Sequence, residues 1–187
     1  MKTTRAIGST LTVLGCLLAG GQAQAAEPAV YLLGAGGSSH HNNDCTGTTN
    51  CDNTGNAFKL LGGYRFGNGV AIEATSFDFG KSKASALGIN LELKAKAVGL
   101  GAAVYAELAP SWVGTLRLGV ASVKMTATGS NGYNSSETST NAYVGMAIAY
   151  HFTPAVSAEL GYDSTRGKIL GESGNLSAVT VGVGIKF

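Results

Sequence analysis

The chain has 187 residues, of which 28 are Gly and only 13% are charged, with 13 bases against 11 acids and three His. With Lys2 and Arg5 set aside, eleven bases face eleven acids, so the remainder is close to neutral and offers no electrostatic footprint for nucleic acid. Few charges with no uninterrupted apolar run of about 18 residues beyond the first 25 exclude both a well-solvated soluble surface and a spanning helix.

The first element is an export signal. Lys2 and Arg5 form its positive region, "AIGSTLTVLGCLLAGG" its apolar stretch, and Ala23 to Ala25 ("AQA") a small-residue cleavage site. Gly8, Ser9, Thr10, Thr12 and Gly15 interrupt the apolar run, which weighs against a retained anchor. Cys16 in "VLGC" loosely resembles a lipobox, but the apolar run continues past it to the AxA site. Residues 1–25 are therefore set apart from residues 26–187, which suffice for one domain.

Eight segments with strand patterning or composition follow, near 28–37, 57–66, 69–79, 89–106, 112–127, 141–152, 155–165 and 175–187. Their connections alternate. "GNG", "LAPS" and "TPA" are tight turns, whereas 38–56, 80–88, 128–140 and 166–174 are long and polar, the asymmetry of short periplasmic turns against extracellular loops. Pro28, Pro110 and Pro154 all fall at strand starts or turns, where a missing N–H breaks no ladder.

Side-chain parity sharpens the reading, since alternate residues of a strand face opposite sides. Phe58, Leu60, Tyr64 and Phe66 oppose Lys59 and Arg65; Val70, Ile72 and Ala74 oppose Glu73. In the fourth segment Leu91, Leu93, Ala95 and Ala97 oppose Glu92, Lys94 and Lys96. Leu116, Leu118 and Val120 oppose Arg117, and Val156, Ala158, Leu160 and Tyr162 oppose Glu159 and Asp163. Charges inside and apolar groups outside define a transmembrane barrel, with Asp78 and Lys124 as outward exceptions near the loop ends. Eight strands enclose only enough room for side chains, which explains small inward residues such as Gly145, Ala147, Ala149, Gly182 and Gly184. The fold class expected is therefore all-β, an eight-stranded antiparallel transmembrane barrel with a side-chain-filled interior.

The final stretch, "AVTVGVGIKF", puts Val179, Val181, Val183, Ile185 and Phe187 on one face. Together with "GNAFKLLGGYRFGNGVAIEATSFDFG", it makes the whole of residues 26–187 resemble the small OmpA-type and opacity-type outer-membrane barrels. That resemblance implies a bacterial outer-membrane location and a terminal Phe187 that serves as the signal read by the barrel assembly machinery. It implies lipopolysaccharide and outer-membrane lipids as surroundings, and a monomer. It leaves activity open, since the family holds adhesins, envelope-integrity proteins and small-solute channels.

Three constellations bear on chemistry. Cys45 and Cys51, in "HHNNDCTGTTNCD", are the only cysteines left after cleavage of an exported chain, and are expected to form a disulfide. The rival reading makes His40, His41, Asp44, Cys45, Cys51 and Asp52 metal ligands, but their spacing matches no recognised zinc site, so no metal or cofactor is assigned. Lipid A deacylases on similar barrels use a His, a Ser and an acid; His151 in "YHFTP" lacks the His-x-Ser pattern and is read as an interfacial residue, so no catalytic residue is assigned. Trp112, Tyr150, Phe152 and Phe187 are read as interfacial anchors.

The third constellation is structural. Glu73 lies five residues above Asn68, Glu159 five above Pro154, and Arg117 a similar climb beyond "LAPS", all on the inward parity. Comparable depth predicts that Arg117 bridges at least one of the two carboxylates, with Lys59, Arg65, Lys94 or Lys96 compensating the remainder. The function expected is non-enzymatic, a structural or surface-interaction role through extracellular loops that meet a host or cell-surface ligand. A narrow channel for small or hydrophobic solutes is the alternative, and a lipid-modifying enzyme ranks behind both.

Overall fold

The computed structural model describes residues 28–42, 50–86, 89–130, 132–169 and 172–187. These form β1 (Ala29–Asn42), β2 (Asn50–Asp52), β3 (Thr54–Arg65), β4 (Val70–Ala86), β5 (Ile89–Ala109), β6 (Trp112–Gly129), β7 (Asn134–His151), β8 (Val156–Ile169) and β9 (Glu172–Lys186). Every pairing is antiparallel, and the short β2 pairs only with β4, prolonging the line of β3 beyond Asn53. The circle therefore has eight positions. β1 closes it by pairing with β9 from Tyr31 opposite Lys186 to Asn42 opposite Asn175. A closed ladder satisfies each strand's backbone within the sheet, which lipid demands. No described helix is long and apolar enough to cross a membrane.

Local chemistry sets the tight ends. In the β3–β4 turn, Gly69 adopts φ +77° and the Asn68 side-chain oxygen accepts from the Val70 N–H at 3.2 Å. Pro110 and Ser111 connect β5 to β6, with Ser111 at φ 69°. Both chain ends described here, and all three tight turns, lie at the same mouth of the barrel.

The outer wall is apolar where it meets lipid. Leu60, Ile72, Leu100, Leu118, Met146, Leu160 and Val181 are each more than half exposed. At the tight-turn mouth, Trp112, Tyr150 and Phe152 stack edge-on along the wall, with successive ring centroids 5.1 Å apart. Burying such rings at the head-group level anchors the barrel's depth.

Two expectations are corrected. The strands run on through most of the predicted loops: Asn134 to Thr140, seven polar residues in succession, are part of β7. Ladder hydrogen bonds need no apolar side chain, and above the lipid both faces can be polar. The second correction concerns β5, where Ala95 and Ala97 are buried inside while Lys94 and Lys96 take the outward parity that continues through Val98 and Leu100. Lys96 is 58% exposed and pairs with Asp78 at 3.1 Å on the outer surface. Neither lysine compensates charge in the lumen.

The β5 correction has a physical cause. Above the membrane the outside of the barrel faces water, so the inside must supply the apolar core. Ala57, Phe77, Phe79, Ala95, Ala97, Val123, Met125 and Leu176 form it, with the rings of Phe77 and Phe79 stacked 5.2 Å apart. The expectation of small inward residues holds for β7 and β9, and in the outer half Phe77, Phe79 and Met125 pack among alanines. Along one strand, the same face changes polarity at the lipid boundary.

Candidate functional site: a charged network across the lumen

Below the apolar core, inward side chains of seven strands meet. Arg117 on β6 is 2% exposed, and its Nε donates to Glu73 Oε2 on β4 at 3.0 Å. Its Nη2 donates to Glu159 Oε2 on β8 at 2.9 Å. Lys59 on β3 donates to Asp163 Oδ2 on β8 at 2.8 Å and lies 4.0 Å from Glu159 Oε1. Three tyrosines complete the set: Tyr31 and Tyr105 donate to Glu73 Oε1 at 2.6 and 3.0 Å, and Tyr143 donates to Asp163 Oδ1 at 2.5 Å.

The structure thus brings Arg117, Glu73 and Glu159 together, and draws Lys59 in through Asp163. Charged groups removed from water survive only when paired and hydrogen-bonded, and here every carboxylate has at least one cation and, for Glu73 and Asp163, a phenol as well. Arg65, the other inward base of β3, stands nearer the mouth with its guanidinium 5.1 Å from the Tyr105 ring centroid. Sequence reasoning noted Asp163 on the inward parity but left it, and the three tyrosines, out of the cluster. The signal was present: Tyr31, Tyr105 and Tyr143 share parity with the inward residues Leu33, Ala103 and Gly145 of their own strands.

Glycines make the room. A Cβ on Gly145 of β7 would stand 2.6 Å from Asp163 Oδ1 and 3.3 Å from Arg117 Cβ, and one on Gly63 would stand 2.4 Å from the Tyr31 hydroxyl. Large polar side chains cross the lumen because the facing backbones carry none.

The remaining predicted residues fall elsewhere. Cys45 lies outside the described residues, as does the side chain of Cys51. His41, offered as a metal ligand, lies on β1 fully buried, and its Nε2 donates to the Phe79 carbonyl at 3.0 Å. His151 ends β7 opposite Ser157. Phe187 is 72% exposed while its N–H donates to the Val30 carbonyl at 2.9 Å, extending the β1–β9 closure by one residue.

This architecture agrees with what the chain resembles. Residues 9–187 match the family described as the outer membrane protein beta-barrel domain. The chain belongs to that family. It is accordingly a bacterial outer-membrane barrel, with its tight turns on the periplasmic side. No curated protein matches the chain in sequence. Among solved structures, Neisserial surface protein A is similar at TM-score 0.64 and 16% identity, covering 84% of this chain and 97% of its own. The attachment invasion locus protein Ail of Yersinia pestis, bound to the heparin analogue sucrose octasulfate, matches at TM-score 0.60 and 16% identity, over 87% and 100%. The N-terminal β-barrel domain of Pseudomonas aeruginosa OprF matches at TM-score 0.56 and 17% identity, over 84% and 97%. At these identities the likeness is one of fold.

Proposed function

We propose that this protein is a non-enzymatic, monomeric outer-membrane barrel whose lumen is closed to solute flow and whose working surface is its extracellular rim. The observation that carries this reading is the pair of obstructions in series: the network centred on Arg117, and the apolar core of Phe77, Phe79, Val123 and Met125 above it. A conduit needs a continuous wet path, and both layers are made of buried side chains that fill the section. The rigid staves then carry polar strand ends such as Asn134 to Thr140 beyond the lipid, where lipopolysaccharide and a cell-surface ligand are the partners in reach. Sucrose octasulfate on Ail is a polyanion on a barrel of this fold. A comparable role is consistent with the outward Lys94, Lys96 and Lys124 here.

In this reading residues 1–25 are the export signal, Phe187 is the assembly signal, and a Cys45–Cys51 disulfide braces the first extracellular loop. Single-channel recording in planar bilayers tests it. The refolded protein is expected to give no reproducible openings, and steady unitary conductance would overturn the closed-lumen reading in favour of the narrow channel.

A further inference from the structure

Beneath the network, on the periplasmic side, lies a cavity of about 60 Å³ whose lining includes Tyr31, Arg65, Tyr105, Arg117, Glu159 and Lys186. About 10–15 Å³ of such volume holds one water, so this space accepts several waters or one small solute.

Its chemistry is one-sided. Glu159 is the sole carboxylate among the lining residues, and it already accepts from Arg117 Nη2 at 2.9 Å. Arg65 and Lys186 take part in no ion pair among the described residues, and Glu107, which shares the wider mouth with them, stands beyond pairing distance. Two donors are also left over. Arg117 Nη1 is buried without a partner in a side chain only 2% exposed, and Arg65 Nε is buried without one as well. An unanswered buried donor on a charged group is costly, and guanidinium groups are shaped to receive the paired oxygens of a carboxylate.

We propose that this periplasmic vestibule is a binding site for a small carboxylate anion, held between the free edge of Arg117 and the Arg65 guanidinium, with Lys186 supplying long-range attraction. The site is a dead end. Arg117 closes its roof by holding Glu73 and Glu159, so the anion enters and leaves through the periplasmic mouth and does not cross. This goes beyond the closed-lumen reading, and it stands or falls on binding whether or not the barrel conducts.

The test is a titration of isotope-labelled, refolded barrel in micelles with sodium acetate. Ionic strength is held constant with sodium gluconate, whose anion is too large for the cavity. Amide shifts at Ala149, Gly184 and Lys186 are expected to saturate, with a dissociation constant in the millimolar range. Arg65→Gln should weaken that constant at least tenfold, Arg65→Lys should weaken it less, and Lys168→Gln, on the opposite rim, should leave it unchanged. Folding of each variant is read from its unheated gel migration, and Lys186→Gln, expected to weaken binding severalfold, serves if Arg65→Gln does not refold. Shifts that rise linearly without saturation, or that saturate equally in Arg65→Gln or Lys186→Gln, would overturn the site and leave the cavity to water.

Discussion

Arg117 on β6 reaches Glu159 on β8 at 2.9 Å by passing over Gly145, the residue of the intervening β7 that pairs with both Arg117 and Asp163. The ion pair therefore depends on a side chain that is absent. Gly145→Val is expected to push Asp163 away from Lys59 and Tyr143, and to lower the unfolding free energy by about 2 kcal/mol through overpacking and partial loss of a buried pair. Urea titration in lipid vesicles, read by the unheated gel shift, checks this. Stability equal to wild type would show that the lumen is looser than the packing described.

Removing the arginine should cost more. Arg117→Ala strands Glu73 and Glu159 together and is expected to destabilise by about 3 kcal/mol, because a buried charge without its partner is penalised more than the pair gains. The triple variant Arg117→Leu, Glu73→Leu, Glu159→Leu should recover part of that loss, leaving Lys59 and Asp163 as a self-sufficient pair. A triple variant weaker than Arg117→Ala would contradict the view that charge imbalance, and not lost packing, is the main penalty.

Phe187 invites a different measurement. The residue is exposed and its N–H donates to the Val30 carbonyl, so a role in assembly is separable from a role in stability. Deleting Phe187 is expected to cut the amount inserted in the outer membrane severalfold while changing the urea midpoint of refolded protein only slightly. Equal insertion of both chains would remove the assembly role.

The two cysteines concern the loop. Cys45→Ser with Cys51→Ser is expected to leave the folded fraction almost unchanged but to speed cleavage within residues 38–56 by external protease, since a short covalent ring restricts the ensemble the protease must engage. Thiol labelling of both cysteines in denatured, unreduced protein would show that the bridge does not form.

How legible the molecule was follows the lipid boundary. Within the membrane, the outward rule is uniform, so Leu60, Ile72, Leu118 and Leu160 read directly as lipid-facing, and Glu73, Arg117 and Glu159 as inward. Outside it the rule inverts, and periodicity alone carries no marker of where the inversion happens. Lys94 and Lys96 alternate with Ala95 and Ala97 as a charged interior would, yet they face water. Polar stretches such as "NSSETST" look like loops because their period-two pattern has no apolar member, although their backbone pairs β6 throughout. The network's extent was hidden for another reason. Which inward residues meet depends on the stagger between neighbouring strands, and that stagger is fixed by turn length and the bulges, here at Asp78/Lys81 and Glu107/Ala109. Depth counted from a turn places Arg117 near Glu73, but only the full register brings Asp163 and three tyrosines to the same level.

The most direct measurement of the central claim is the hydrogen exchange of the Arg117 Nε–H in selectively labelled protein at neutral pH. Bonded to Glu73 at 3.0 Å in a lumen sealed from above by the apolar core, this proton is expected to give a resolved signal and to exchange at least a hundredfold more slowly than that of Arg166, which is exposed near the outer rim. Exchange of the Arg117 proton as fast as that of Arg166 would contradict a closed, charge-paired lumen.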